Sequence, residues 1–191
     1  MVDYKTFKKG YLNEWVDQSQ AARKAAEELA NKDTTSLRDK YGDKRFILDL
    51  GDRKIEFKDI NETNDEGLPY FPWNEAMRLF GEPDEDGWRL PTSDELKFLS
   101  ETPSVYRDDA RVFKGILYLP FDGQVVNGTV RKHDGYYGDY GIYWTSSTSA
   151  SHKECADTLF VSPGRKKLTK AGIGHYNKVS RLSVRLVRDV K

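Results

Sequence analysis

Pro91 stands in the most constrained stretch of this chain, Asp86 to Leu99, and its neighbours leave the backbone few choices. Asp86-Gly87 is a turn pair. Trp88-Arg89-Leu90 is a bulky run, and a proline ring pushes the residue before it towards extended backbone, so the run predicts a short extended segment that stops at Pro91. Thr92 and Glu95 then fit a capping box, in which the threonine hydroxyl accepts an orphan backbone N–H and the glutamate reaches back to the cap. A helix follows, with Leu96, Phe98 and Leu99 as its apolar side.

The rest of the chain must build a core around this unit without covalent help. Cys155 is the sole cysteine, so neither an intrachain disulfide nor a thiolate zinc cluster can form. With 191 residues there is room for one well-packed domain and an appendage. Hydrophobic residues make up 37% and charged residues 32%, a polar balance that 9 Phe, 4 Trp and 11 Tyr offset because each ring buries a large area. The formal net charge of zero disfavours a dedicated nucleic-acid binder. Charge is nevertheless uneven: Asp59 to Asp109 holds 14 acidic and 4 basic residues, Pro163 to Lys191 holds 9 basic and 1 acidic. Either these regions face each other, within or between subunits, or the basic one is a polyanion patch. Met1-Val2-Asp3-Tyr4-Lys5 lacks the apolar stretch of a secretory signal, and no run approaches the ~20 apolar residues of a membrane span, so neither export nor membrane insertion is expected.

Residues 1–42 read as an N-terminal helical stem and 43–191 as the globular domain. Leu12, Trp15, Ser19, Ala22, Ala26 and Leu29 follow alternating steps of three and four, a short heptad seam. That seam either covers its own domain or oligomerises and anchors the chain. Arg45–Leu50 and Lys54–Lys58 predict a hairpin about Gly51-Asp52. Trp73, Ala76, Met77 and Phe80 predict a helix ending at Gly81. Val112–Phe121 predicts a strand run, Asp122–Gly141 a Gly-rich loop, and Ile142–Thr145 a buried strand. A hairpin is expected from Ala156–Val161 to Lys167-Leu168, and Ser183–Val187 alternates as a closing strand.

Three anchor motifs, Gly87-Trp88-Arg89-Leu90-Pro91-Thr92, Tyr143-Trp144-Thr145-Ser146-Ser147 and Val184-Arg185-Leu186-Val187-Arg188, occur in the order seen in bacterial and phage domains with the pattern GWRLPT…YWSS…VRxVR. From about Phe46 to Asp189 the chain therefore resembles the Fibrobacter succinogenes major paralogous domain and its DUF1566 relatives. The resemblance implies an α+β, C-type-lectin-like fold: a small mixed sheet, two helices and long loops. It also implies a place in Bacteroidetes or their phages. Formylglycine-generating enzymes share that superfamily but need two active-site cysteines, which Cys155 alone cannot supply.

Trp88 and Trp144 read as core rings, with Leu90 and Pro91 in the same structural motif. Arg89, Arg185 and Arg188 read as partners in structural ion pairs. Glu82-Pro83-Asp84-Glu85-Asp86 is a solvated acidic loop whose spacing matches no calcium loop. His133, His152 and His175 fall in loop-like settings without metal-ligand spacing, and neither a nucleophile elbow nor a phosphate loop is present. No catalytic set, metal or cofactor is expected. Recognition remains: Tyr136, Tyr137, Asp139, Tyr140, His175, Tyr176 and Asn177 are the candidate ligand-binding residues, in a Tyr- and Asn-rich, Gly-flanked setting. The leading expectation is a non-enzymatic phage virion protein of head- or tail-fibre type, homo-oligomeric through Leu12, Trp15, Ala22, Ala26 and Leu29 and trimeric if a fibre. Its partners would be other virion proteins, itself, or host-surface glycans. The alternative is a cytoplasmic or lysis-released bacterial binding module, such as the variable protein of a diversity-generating retroelement, with Gly172–Arg185 as its binding face.

Overall fold

The computed structural model describes residues 45–126, 128–134, 138–164 and 171–190. Residues 44–64 and 69–191 gather into one compact unit, which is the one described below. The heptad positions Leu12 to Leu29, Tyr136, Tyr137 and the predicted strand about Lys167-Leu168 lie outside the described residues.

In chain order the described elements are β1 (Phe46–Asp49), β2 (Lys54–Phe57), β3 (Phe71–Pro72), α1 (Trp73–Phe80), α2 (Ser93–Glu101), β4 (Ser104–Arg107), β5 (Ala110–Phe113) and β6 (Leu117–Pro120). There follow β7 (Gln124–Val126), β8 (Thr129–Arg131), β9 (His133–Asp134), β10 (Gly138–Asp139), β11 (Gly141–Thr148), β12 (Cys155–Val161), β13 (Ala171–Asn177), β14 (Arg181–Leu182) and β15 (Val187–Asp189). The fold is mixed, with small and mostly antiparallel sheets: β1-β2-β15, β3-β14-β7-β8, β4-β5-β6, β9-β10 and β11-β12-β13.

The sheet β11-β12-β13 divides the apolar interior in two. Side chains alternate across a strand, so Tyr143, Leu159 and Val161 enter one core with Leu96, Leu99, Phe113, Leu117, Leu119 and the β1-β2 side chains. Ile142, Trp144 and Ala156 enter the other with Phe71, Ala76, Leu90, Leu182, Val184 and Leu186. Helix α2 packs across β11, β12 and β13 on the first side, while Trp73, Met77 and Phe80 bring α1 to the second. Burial on both faces explains why Ile142-Tyr143-Trp144 reads as an unbroken apolar run.

The hairpin β1-β2, helix α1 and the Thr92–Glu95 capping box form as the sequence predicts. Four segments differ. Asp122–Gly141, expected as a loop, carries the short strands β7, β8, β9 and β10. Val112–Phe121 is two strands, because Lys114 (φ 48°) and Gly115 (φ 71°) form a two-residue turn with positive φ at both centres, closed by Ile116 N–H to the Phe113 carbonyl (3.0 Å). Such a turn matches the natural strand twist. The partner of β12 is β13, so His175, Tyr176 and Asn177 are on a strand rather than a loop. Ser183–Leu186 is not a strand but a connection between β14 and β15, held by bonds from Trp144 N–H to Ser183 O (3.0 Å) and from Glu62 N–H to Val184 O (2.9 Å). In α2, Leu96 and Leu99 are buried but Phe98 is 48% exposed, one residue off the face that meets the sheet.

Candidate functional site

The three anchor motifs meet at one junction. Arg89 and Val187 exchange both backbone hydrogen bonds at 2.9 Å. The Pro91 carbonyl, which ends the Trp88–Leu90 segment, accepts from Ser146 N–H at 2.8 Å. The first backbone N–H of α2, at Ser93, donates to Ser147 Oγ at 2.9 Å, so the Thr-Ser-Ser end of β11 supplies a second cap beside Thr92. An indole N–H buried without a partner is costly, and both are placed: Trp144 Nε1 donates to the Phe71 carbonyl (2.7 Å) and Trp73 Nε1 to the Thr145 carbonyl (2.9 Å). Trp144 is fully buried. Trp88 packs against the second core only from its edge. It is half-buried at the rim, because the Asp84 carboxylate, accepting from Asp86 N–H (3.0 Å) and Trp88 N–H (2.8 Å), turns the acidic loop so that the ring lies under the Arg188 guanidinium, 4.4 Å from its centroid.

Charge at this junction is spent internally. Glu95 is 1% exposed. Its carboxylate takes two bonds from Arg89 (2.8 and 3.0 Å), one from Arg53 (2.9 Å) and one from Thr92 N–H (2.7 Å). Burial pushes the Glu95 carboxyl up, but these donors outweigh it and hold it below the ordinary carboxylate range. Arg188 pairs with Glu56, with both Nε and Nη2 at 2.9 Å. Arg185 departs from the expected ion pair: buried at 3% exposure, it donates to Asn61 Oδ1 (2.8 Å), the Lys58 carbonyl (2.8 Å) and the Tyr118 carbonyl (3.1 Å). Arg188 is thus tied down by Glu56, and Arg185 by Asn61 and two carbonyls, with Asp59 and Glu62 of the acidic run adding electrostatic support without an ion-pair contact.

The residues expected to bind a ligand separate into two groups. Asp139 lies just before β11 with its Oδ1 3.0 Å from His133 Nδ1, both exposed. Tyr140 is core, 5% exposed, its ring stacked on Phe160. Gly141 pairs with Val161, which pairs with Ala171, whereas His175, Tyr176 and Asn177 lie four to six residues further along β13. At ~3.3 Å per residue the two groups are well over 10 Å apart, too far to share a small ligand.

Sequence reasoning missed what the β12-β13 register brings to the second group. His152 and His175 stack with ring centroids 4.5 Å apart and an interplanar angle of 23°. Ser151 Oγ is 2.8 Å from His152 Nδ1 and 3.3 Å from Ser149 Oγ. Asp157 is the cross-strand partner of His175. His175, Asn177 and Ile173 are the exposed positions of β13. Twenty-two residues lie between the two histidines, and the turn before β12 brings His152 over His175 on β13. This end of the sheet offers flat imidazole faces, hydroxyls and an amide. It has no built nucleophile: among the hydrogen bonds of the described residues, none joins a carboxylate to either ring to orient it as a base. Among the described residues no three His, Cys, Asp or Glu side chains gather as metal ligands, and no helix is long and apolar enough to cross a membrane. No family model, curated protein or solved structure matches the chain.

Proposed function

We propose that this chain is a non-enzymatic recognition or structural protein of the C-type-lectin-like kind, carried on a bacteriophage particle and attached through its N-terminal stretch. One observation supports a binding rather than a catalytic role: the three distinctive motifs spend their polar groups inside the fold, on one another and on Glu56, Asn61 and nearby backbone carbonyls, while His152, His175 and Asn177 stand exposed at the far end of β12-β13. Exposed planar side chains flanked by hydroxyls suit the stacking and hydrogen bonding by which a glycan is held. The GWRLPT, YWTSS and VRLVR motifs carry the family reading. The full-length protein on a glycan array is expected to bind a defined glycan and to lose that binding in the His152→Ala/His175→Ala double variant. Mass spectrometry of purified virions is expected to detect the chain, and its absence from them sinks the virion reading.

The outward alternation of Ile173, His175 and Asn177 along β13 favours one other reading, a bacterial ligand-binding module diversified on that strand. A reverse-transcriptase gene and a near-repeat of the Gly172–Arg185 segment beside the coding sequence are its test.

A further inference from the structure

One buried cation is not explained by the fold. Arg111 lies at the centre of β4-β5-β6, paired with Tyr106 on one side and Leu119 on the other, and is 2% exposed. A guanidinium carries five N–H donors and keeps its charge at any physiological pH. Among the described residues Arg111 makes one bond, from Nη2 to the Ser162 carbonyl just beyond β12. Nε is buried without an acceptor, and among the described residues no carboxylate forms an ion pair with the side chain. The neighbouring acids are engaged elsewhere: Asp108 with Arg107 (3.3 Å) and Asp109 with the Tyr106 hydroxyl (3.0 Å). From Ser162 to Arg188 the sequence contains no Asp or Glu. Burial, with nothing opposing it, lowers the affinity of this guanidinium for its proton. An uncompensated charge in the interior is strongly unfavourable, whereas the same charge facing an anion in low dielectric is a strong binding group.

We propose that Arg111 is the recognition group of an oxyanion subsite, in which the Nε–H and a terminal N–H receive two oxygens of one carboxylate, sulfate or phosphate group while the Ser162 carbonyl fixes the guanidinium plane. The planar fork of arginine matches two oxygens on one centre, which a lysine ammonium cannot reproduce. The subsite is independent of the recognition reading above and lies on a different sheet from His152 and His175.

Titration of the ¹⁵N-labelled full chain with sodium sulfate, sodium phosphate and sodium acetate, each against sodium chloride at equal ionic strength, follows the Arg111 Nε–H signal directly. A saturable shift is expected with at least one oxyanion and none with chloride. With anion about five-fold above its Kd, the melting temperature of the wild type is expected to rise by about 2–4 °C over the chloride control, and Arg111→Met is expected to lose that gain. Response to sulfate and phosphate alone identifies a tetrahedral ligand, and response to acetate alone a carboxylate. An Nε–H signal unmoved by all three anions overturns the proposal, as does an equal melting gain in Arg111→Met. Should that variant fail to fold, the wild-type titration alone decides.

Discussion

Arg185 and Arg111 are both at most 3% exposed, and among the described residues neither has a carboxylate in ion-pair contact, yet they do opposite things. Arg185 distributes Nε, Nη1 and Nη2 over three acceptors from two separate segments, Lys58–Asn61 and β6, and so ties the Ser183–Leu186 connection to both. Arg111 satisfies a single carbonyl. Burial alone therefore does not make a cation structural. The number of donors already spent separates an arginine that holds the chain together from one able to hold something else.

The comparison is broken or sharpened first by removing each guanidinium. Arg185→Met removes the donors to the Lys58 and Tyr118 carbonyls and to Asn61 Oδ1, and is expected to cost about 3–5 kcal/mol by urea unfolding. Arg111→Met removes a charge the fold does not use, so its stability is expected to stay within about 1 kcal/mol of wild type or to rise. Equal losses in the two variants would erase the distinction.

The two motif tryptophans extend the test to packing. Trp144→Ala opens a cavity in a closed interior and orphans the Phe71 carbonyl, for an expected loss of about 4 kcal/mol. Trp88→Ala removes a rim ring and its cation contact, for about 1–2 kcal/mol, readable in the same denaturation series.

A third comparison sets Glu95 against both arginines, as a buried charge whose partners are complete. Glu95→Gln is expected to cost about 2–3 kcal/mol by weakening the Arg89 fork and the cap. Because the folded carboxyl lies below its unfolded value, its contribution is fully present above about pH 4.5 and is lost as pH falls through the folded value. Wild-type stability is therefore expected to drop more steeply than that of Glu95→Gln under acid titration followed by circular dichroism. The smallest effect belongs to the sheet end: His152→Ala and His175→Ala are expected to change stability by no more than about 0.5 kcal/mol, since both rings are exposed.

Legibility in the sequence followed the range of the forces involved. The capping box, the Gly51-Asp52 hairpin and the α1 face depend on residues within a few positions of one another, and each could be read directly. Phe98 was misplaced on the apolar side although its neighbours at helical spacing, Asp94, Glu95, Glu101 and Thr102, are all polar, whereas Leu96 and Leu99, three apart, mark the face that meets the sheet. Tyr140 looked like a loop tyrosine because its Gly-rich surroundings hide its stacking on Phe160. The Lys114-Gly115 turn was missed although that pair interrupts the apolar run, because the apolar residues on both sides of it also fit one long strand.

By itself the sequence determined the local units: where the chain must turn, which helix begins at Thr92, and that Trp144 and the Val184–Val187 run belong inside. Only the tertiary structure decided which segments meet. The turn before β12 stacks His152 on His175, the Arg89–Val187 pairing joins motifs nearly a hundred residues apart, and the packing of β4-β5-β6 leaves Arg111 without a carboxylate partner among the described residues. Backbone geometry acts between near neighbours and is written in short patterns. Burial and charge compensation depend on partners brought together from distant points, and no stretch of sequence states them.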